Sequence, residues 1–438
     1  MKASLQGFCS RTEGVGAVFE DIFLIDGKRT PFGKYMGTLS TVSPTDLGIL
    51  SSRAVLAATG IPASEIDQTI VANIGQASAD SFFLPRHIAL YSGATVESPA
   101  LMVQRICGSG IEVIGVAAQE IAMGKARLVL GCGTDTMSRF PLVSYTSRQG
   151  FQLGKPEFLD LLWEALNDTA AVPMGATADH LAKKYGLTRT EVDAFGKRSQ
   201  DRYFDALGAG AFKDEVIRVE PKGAFEAAGL KPRQYRIKGA DAFEQDEHAR
   251  RTTLENLAKL PPVFSKEGPT TAGTASGIVD GASSVLVASG EYVRSHGLKP
   301  LGRVRAVASA GVDPALMGIG PVPAIRAVLR SLNLKLSDID LFEINEAFGA
   351  QALSVARALE LDENKLNVNG GAIAIGHPLA ATGCRLATTC LKTLKSRKGR
   401  PDARLTARPD ARLTARLGIV SACIGGGQGI AMVLEAVE

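Results

Sequence analysis

The sequence predicts an α/β protein in which the same order of elements occurs twice. Two observations lead to this prediction. Short β-rich runs alternate with amphipathic helical stretches, and each half of the 438 residues has a strand, a glycine-rich turn with a reactive side chain, a helix and a further strand. A chain of this length has ample material for a large core. We therefore expect a duplicated α/β unit whose reactive turns converge where the halves meet.

The N-terminal half alternates strands with helices that stop at glycine. Gly60 and Gly124 follow helical patterns, as is typical of helix C-termini. In chain order, the expected elements are a strand at Ile22–Ile25, a turn at Lys28–Gly33, a helix at Thr45–Thr59, a strand at Thr69–Ile74, a helix at Ser109–Met123 and a strand at Leu128–Leu130.

The C-terminal third repeats this pattern of strands and helices. Apolar residues recur with helical spacing in three stretches and form short continuous runs in three others. The expected elements are a helix at Ala324–Leu332, a strand at Leu341–Ile344, a helix at Glu346–Leu359, a helix from His377 to about Leu394, and strands at Ile419–Ala422 and Ile430–Ala436.

The chain divides into a short extension and two halves. Residues 1–20 lack the apolar segment of a secretory signal, so a short disordered extension is expected, with a weak organelle-targeting segment as the alternative. Residues 21–290 form the first half and residues 291–438 the second. Residues from about 140 to 275 are more polar and less regular, and we interpret them as an inserted loop domain of the kind that commonly holds substrate.

An eight-residue repeat interrupts the second half, because residues 400–407 recur unchanged as residues 408–415. Arginine recurs every four residues, but Pro401 and Pro409 would interrupt a long helix. We interpret residues 400–416 as a duplicated surface insertion, which a loop tolerates at little thermodynamic cost. A basic docking element is the alternative.

Composition excludes several classes of protein. The net charge of +4 is local, because residues 400–416 hold five arginines and two aspartates, so nucleic-acid binding has no support. No apolar run is long enough to span a bilayer, so membrane insertion is not expected.

Six cysteines lack the spacing of metal sites, which predicts reduced thiols and no metal. Cys132, Cys384 and Cys390 have apolar or small neighbours and are expected to be buried.

Cys107 is the first candidate nucleophile. Gly108, Ser109 and Gly110 follow it and lead into an apolar helix, so Cys107 is expected at a helix N-terminus, where the dipole favours a thiolate. Small neighbours leave room for an acyl group. The alternative is a buried, inert cysteine.

His377 is the candidate base, because a reactive cysteine needs one nearby. It lies between Gly376 and Pro378 in a segment without charge, and a histidine that only forms core hydrogen bonds is the alternative. The other four histidines, His87, His180, His248 and His296, have ordinary polar or helical contexts and are expected at the surface.

Cys423 and Asn345 complete the candidate site. Cys423 ends an apolar strand and opens a glycine-rich turn that returns into a strand, whereas a dinucleotide-binding turn would lead into a helix. Backbone amides beside a second thiol fit an oxyanion hole. Asn345 follows a strand and is either a helix N-cap or the ligand of a catalytic water.

These segments together resemble the signature motifs of thiolases. The resemblance covers the chain from about Asp21 to the C-terminus, except for the arginine repeat, and its order and rough separations agree with that family. Its four motifs are the Cys107 segment, Asn345–Phe348, Gly376–Pro378 and Cys423–Gly429. It implies a thiolase-like fold of duplicated βαβαβαββ halves in a five-layered αβαβα arrangement.

The resemblance also implies a two-step acyl exchange between 3-oxoacyl-CoA and CoA. Cys107 would carry the acyl group with help from His377, and Cys423 would move the α-proton. One oxyanion hole would be His377 with a water held by Asn345, and the other the backbone amides of Cys107 and Gly425. The implied CoA-binding residues are Arg250, Ser276, Ala272, Met174, Phe264, Leu260, Ala347 and Phe348.

The same resemblance sets further expectations. CoA would be a substrate and no cofactor is implied. A homodimer or homotetramer is expected, in the cytoplasm for a bacterial-type protein or in the mitochondrial or another organelle matrix for a eukaryotic one. Pro173 stands where short-chain biosynthetic thiolases commonly have histidine, which favours a 3-ketoacyl-CoA thiolase over an acetyl-CoA C-acetyltransferase that makes or cleaves acetoacetyl-CoA.

Two other classes of protein fit the sequence less well. A decarboxylating ketosynthase would lack the second cysteine, so Cys423 argues against it. A non-catalytic acyl-CoA or lipid carrier could have lost its nucleophile or base, whereas this chain keeps both.

Overall fold

A computed structural model describes residues 3–12, 14–397 and 416–437, and they form an α/β protein as expected. Its strands are β1 (Ser4–Ser10), β2 (Gly14–Glu20), β3 (Ile22–Arg29), β4 (Gly33–Lys34), β5 (Gln68–Ala72), β6 (Ala100–Met102), β7 (Leu128–Thr136), β8 (Leu142–Val143), β9 (Leu159–Asp160), β10 (Lys222–Phe225), β11 (Arg233–Arg236), β12 (Val279–Ser289), β13 (Gly302–Gly311), β14 (Leu341–Ile344), β15 (Leu417–Ile424) and β16 (Gln428–Ala436).

The helices lie between these strands in chain order. They are α1 (Pro44–Thr59), α2 (Leu84–Tyr91), α3 (Ser109–Ala122), α4 (Leu161–Leu166), α5 (Met174–Tyr185), α6 (Arg189–Gly208), α7 (Leu254–Ala258), α8 (Gly290–Ser295), α9 (Pro321–Ser331), α10 (Gly349–Leu359), α11 (Ala372–Ile375) and α12 (Ala381–Arg397). No helix in the described ranges is both long and apolar enough to cross a membrane.

The main sheet consists of two halves. In the first half the strand order is β3-β12-β7-β5-β6, and in the second it is β14-β15-β16-β13, with β2 and β1 added beyond β13. The halves join where Gly302 and Arg303 of β13 pair with Leu24 and Phe23 of β3. Each half contains a parallel pair and antiparallel pairs, as a duplicated α/β unit requires.

Helices and half-sheets alternate in five layers, which confirms the αβαβα arrangement. Helices α1 and α2 pack on the outer face of the first half-sheet, and α9 and α10 form the layer outside the second. Helices α3 and α12 pack together between the two half-sheets. Every residue of β7 and β12 is buried, because helices cover both faces of these strands.

The inserted region is anchored to the first half-sheet by a buried arginine. Arg29, at the end of β3, donates from Nε to Glu215 (2.8 Å) and from Nη1 to Asp246 (2.6 Å). All three side chains are at most 2% exposed. Because a buried charge is tolerated only when it is paired, these contacts fix the insertion against the core.

Three expectations are corrected. Residues 4–10 and 14–20 are not disordered: they form the β1–β2 hairpin, and β2 pairs with β13. The helix expected at Glu346–Leu359 begins only at Gly349, and the helix expected from His377 begins only at Ala381. The repeat at 400–416 lies outside the described residues, apart from Arg416.

The hairpin is expected to contribute to stability through Phe19, which is 1% exposed within the core beneath α3. Replacing Phe19 by alanine should lower the free energy of unfolding by about 3–5 kcal/mol, the usual cost of removing a buried aromatic ring. Val15 in the same strand is 61% exposed, so Val15→Ala should change the free energy of unfolding by less than about 0.5 kcal/mol. Denaturant unfolding measures both variants, and equal effects would contradict a structural role for the hairpin.

Candidate active site

Cys107 lies in a tight turn immediately before α3, at the predicted helix N-terminus. Ile106 has φ +41°, a strained conformation for a β-branched residue, and such strain tends to occur at functional sites. The hydroxyl of Ser109 holds the turn: it accepts from the Arg105 N–H and donates to the Ile106 carbonyl, both at 2.7 Å. The turn therefore fixes Cys107 in a buried position.

Two backbone amides lie beside the thiol of Cys107. The N–H groups of Gly425 and of Cys107 itself interact with Sγ and favour its thiolate. Burial has the larger effect and raises the pKa of the Cys107 thiol to about 12, so the expectation of a stabilised thiolate is wrong for the free chain. Gly425 lies against the end of the Met174 side chain, so a Cβ added at Gly425 would require Met174 Cε to move.

Cys423 is the second buried thiol of the site. It belongs to β15 and pairs across the hairpin with Gly429 of β16, so the glycine turn returns into a strand as predicted. Burial raises the pKa of the Cys423 thiol, and the charge of a Cys107 thiolate raises it further. Cys423 is two residues before Gly425, whose N–H contacts Sγ of Cys107, so the two thiols belong to the same site.

His377 is held as a neutral imidazole with a defined tautomer. Its Nδ1 is 2.5 Å from Oγ1 of Thr382, whose own hydrogen is donated to the Pro378 carbonyl (3.0 Å). Nδ1 must therefore carry the hydrogen, which leaves Nε2 as an acceptor. Nε2 is buried and makes no hydrogen bond to the described protein atoms. Burial, reinforced by Arg385, lowers the pKa of His377 to about 3.

Close packing of α3 against α12 brings Cys107 and His377 to the same region. Cys107 precedes α3 and His377 precedes α12, and the two helices meet at Gly110 and Gly383. A Cβ on Gly383 would overlap the backbone of Gly110 and Ile111. Only glycine permits so close an approach of two backbones.

Asp135 connects three segments of this region. Its carboxylate accepts hydrogen bonds from the N–H groups of Ala380 (2.7 Å) and Ile74 (2.9 Å) and from Nδ2 of Asn73 (3.0 Å). Burial raises the pKa of Asp135 to about 7, and its charge helps to raise the pKa of Cys107. Asp135 thereby connects the segment after His377 to the residues that follow β5.

Asn345 follows β14 and is fully buried. Its N–H donates to the Ser421 carbonyl (2.9 Å), which places it at the end of the sheet where Cys423 also lies. Because α10 begins at Gly349 with no side-chain cap, the N-cap alternative is wrong. Both polar atoms of the Asn345 side-chain amide lack a protein partner among the described residues. An amide in this state is available to a bound water or substrate.

Several predicted CoA-binding residues surround Cys423. Ala347 packs in one buried cluster with Cys423, and Met174 and Phe348 pack against that cluster. The ring of Phe264 meets the ring of Phe348 edge-on, with centroids 5.6 Å apart. These apolar side chains form a wall that leads outward from the second thiol.

The other predicted CoA-binding residues continue this wall to the surface. The Ser276 N–H donates to the Ala347 carbonyl (3.0 Å), and the exposed Arg250 donates from Nη2 to the Ala272 carbonyl (3.0 Å). Leu260 lies against Gly273, the residue after Ala272. These contacts join the exposed Arg250 to Ala272, and Ser276 to Ala347, which packs with Cys423.

Three residues near the site were missed in the sequence. Thr382 and Asp135 act through contacts that no local pattern reveals. His248, expected at the surface, is half-buried, and its ring lies against Gly277, whose carbonyl accepts the His377 N–H (3.0 Å).

Comparison with known proteins identifies the family. The family models "Thiolase, N-terminal domain" and "Thiolase, C-terminal domain" match residues 22–291 and 298–436. The chain belongs to the thiolase family. Thiolases are acyltransferases, so the chain is an enzyme of that class.

Individual thiolases are similar over nearly their whole length. Human mitochondrial 3-ketoacyl-CoA thiolase is 42% identical over 423 residues, covering 96% of this chain and 99% of the human protein. Acetyl-CoA acetyltransferase of Pseudomonas aeruginosa is 39% identical over 423 residues, covering 95% and 99%. The crystal structure of the human thiolase in complex with CoA matches with a TM-score of 0.85 at 41% identity, covering 95% of this chain and 98% of that one.

The raised pKa of Cys107 predicts how its reactivity depends on pH. Because the thiolate is the nucleophile, alkylation of Cys107 in the free thiolase should increase about tenfold per pH unit from pH 7 to beyond pH 10. Peptide mass spectrometry after iodoacetamide treatment measures the rate at which Cys107 is alkylated. The Cys9→Ser variant is used because it removes the exposed thiol. If the alkylation rate reached a plateau below about pH 9, the pKa of the Cys107 thiol would not be raised as burial requires.

The hydrogen bond that His377 Nδ1 donates to Thr382 predicts a positioning effect of Thr382 on His377. Thr382→Val removes the hydroxyl that fixes the imidazole tautomer and should lower kcat about 100-fold, a typical cost of misplacing a catalytic group. Thr382→Ser keeps the hydroxyl and should retain most of the activity. Steady-state kinetics measures both variants, and an active valine variant would show that the tautomer is set by other contacts.

Proposed function

We propose that this thiolase cleaves 3-oxoacyl-CoA with free CoA to give acetyl-CoA and an acyl-CoA shortened by two carbons. The observation that carries the proposal is the pair of buried, neighbouring thiols with the Gly425 amide beside Cys107. One thiol serves as nucleophile and the other as acid, a division of labour that a single cysteine does not allow. The name of the human relative supports the substrate.

In the first step, Cys107 forms a bond from Sγ to the 3-keto carbon while its proton passes to Nε2 of His377. The bond between C2 and C3 then breaks, and its electron pair goes to C2 as the acetyl-CoA enolate. The Cys423 thiol gives its proton to C2. Acetyl-CoA leaves, and the acyl group remains as a thioester on Cys107 beside a protonated His377 and a Cys423 thiolate.

In the second step, free CoA releases the acyl group. The CoA thiol gives its proton to the Cys423 thiolate and its sulfur attacks the thioester carbon. The bond to Cys107 breaks, and protonated His377 returns its proton to Sγ. Each thiol and the imidazole thus recover their starting states.

Backbone and side-chain donors would stabilise the oxyanions of both steps. We assign the amides of Cys107 and Gly425 to the thioester oxygen, since they lie beside Sγ. We assign Nε2 of His377, once protonated, and a water on Asn345 to the other oxyanion. CoA would extend along the wall described above, with its phosphates near the exposed Arg250.

Condensation of acetyl-CoA to acetoacetyl-CoA is the second candidate function. Cys423 also supports it, because the same thiol, as a thiolate, would remove the α-proton of acetyl-CoA. The acetyl-CoA acetyltransferase of Pseudomonas aeruginosa is named for this chemistry. Comparing cleavage of 3-oxoacyl-CoA with condensation of acetyl-CoA decides which direction the enzyme favours.

We also propose a homodimer or homotetramer in a reducing compartment, the bacterial cytoplasm or an organelle matrix. All six cysteines are free, in keeping with a reducing compartment. Relatives include both mitochondrial and bacterial proteins. Sedimentation equilibrium measures the assembly.

The separate roles of the two thiols predict different defects. Cys423→Ser removes the acid for the enolate, so cleavage should slow by about 10²–10⁴-fold, the usual contribution of acid–base catalysis. Acylation of Cys107 by acetyl-CoA, followed as exchange of labelled CoA into acetyl-CoA, moves no α-proton and uses Cys423 only to carry the proton of the CoA thiol, so exchange should slow much less than cleavage.

The control is Cys107→Ala, which should abolish both reactions. An exchange rate that falls as much as the cleavage rate in the Cys423→Ser variant would contradict the division of roles. Cleavage by the Cys107→Ala variant at the wild-type rate would contradict the proposed function itself.

A further inference from the structure

A cavity of about 440 Å³ lies beside the nucleophile, on the side of the inserted region. Ile106, the residue before Cys107, lines one side, and Gly426, the residue after Gly425, lines another. Met174 lies between the cavity and Gly425. The cavity thus borders both turns of the site, the one that holds Cys107 and the one that holds Gly425.

Part of the cavity wall is apolar. It includes Ile74, Phe140 and Leu161, and Ile74 and Phe140 pack against the buried cluster that contains Cys107. The Phe140 ring covers Gly75, where an added Cβ would overlap it. Such a wall suits an alkyl chain, since each buried methylene adds favourable free energy of about 0.8 kcal/mol.

Another part of the cavity wall is acidic. Glu164, in α4, and Asp168, just beyond this helix, both line the cavity, and no described lining residue is Lys, Arg or His. Arg105, next to the lining residue Gln104, is directed elsewhere, to Glu112 (2.9 Å) and Gln428 (3.2 Å). A substrate that ends in a carboxylate would thus meet two negative charges and no cation.

We propose that this cavity receives the acyl chain of the substrate and selects uncharged alkyl chains over chains that end in a carboxylate. The inference rests on the proposed function, because it concerns the group carried by Cys107. Like charges placed together at a binding site disfavour the wrong ligand strongly. The substrate class is therefore a monocarboxylic 3-oxoacyl-CoA with an uncharged tail.

Two substrates of equal carbon number test the proposal. 3-Oxohexanoyl-CoA and 3-oxoadipyl-CoA differ only in the terminal group, a methyl in the first and a carboxylate in the second. For the wild-type enzyme, kcat/KM should be about 100-fold higher for 3-oxohexanoyl-CoA.

The double variant Glu164→Gln/Asp168→Asn removes both charges and keeps the size of each side chain. This variant should lower the ratio of kcat/KM for 3-oxohexanoyl-CoA to kcat/KM for 3-oxoadipyl-CoA about tenfold or more, mainly by raising kcat/KM for 3-oxoadipyl-CoA. The matched control is Glu157→Gln/Asp241→Asn, which removes the same net charge from two exposed acids that do not line the cavity. It should leave the ratio unchanged.

The outcomes separate this inference from the proposed function. Cleavage of neither substrate by the wild-type enzyme would contradict the proposed function. Good cleavage of 3-oxohexanoyl-CoA with equal cleavage of 3-oxoadipyl-CoA would contradict only the inference. An unchanged ratio in the Glu164→Gln/Asp168→Asn variant, or an equal change in the control, would show that these two charges do not select the substrate.

Discussion

The close contact between α3 and α12 is the constraint on which the site depends. These helices form the central layer, and they approach each other at Gly110 and Gly383, where a Cβ on either residue would overlap backbone atoms. Cys107 lies at the start of one helix and His377 just before the other. A wider crossing would separate Cys107 from His377, regardless of the conformation of the surrounding loops. The fold therefore positions the chemistry through backbone packing before any side chain contributes.

Burial gives this site its electrostatic character. The thiol pKa values of Cys107 and Cys423 are raised, and the pKa of His377 is lowered to about 3. In the resting enzyme the three groups are thus neutral, and charge develops only when substrate is present. We propose that the amides beside Sγ and, once protonated, Nε2 of His377 stabilise that charge with little reorganisation.

Sequence alone predicted the features that have a local signal. The turn at Cys107, the strand–turn–strand at Cys423 and the helix that stops at Gly60 all follow from glycine placement and apolar runs. The β1–β2 hairpin was missed because its stability comes from pairing with β13, far along the chain. The start of α10 was placed too early because Glu346 is held by tertiary contacts, such as the hydrogen bond donated by Ser199 (2.6 Å), and not by helical ones. Asp135 and Thr382 became visible only when distant segments met.

The most direct test of this account is the location of the acyl group on the enzyme. The wild-type protein is incubated with acetyl-CoA, quenched in acid and digested, and the peptides are analysed by mass spectrometry. The account predicts one acetyl group on the peptide that contains Cys107 and none on the peptide that contains Cys423. An acetyl group on Cys423, or an unmodified Cys107 under turnover conditions, would contradict it.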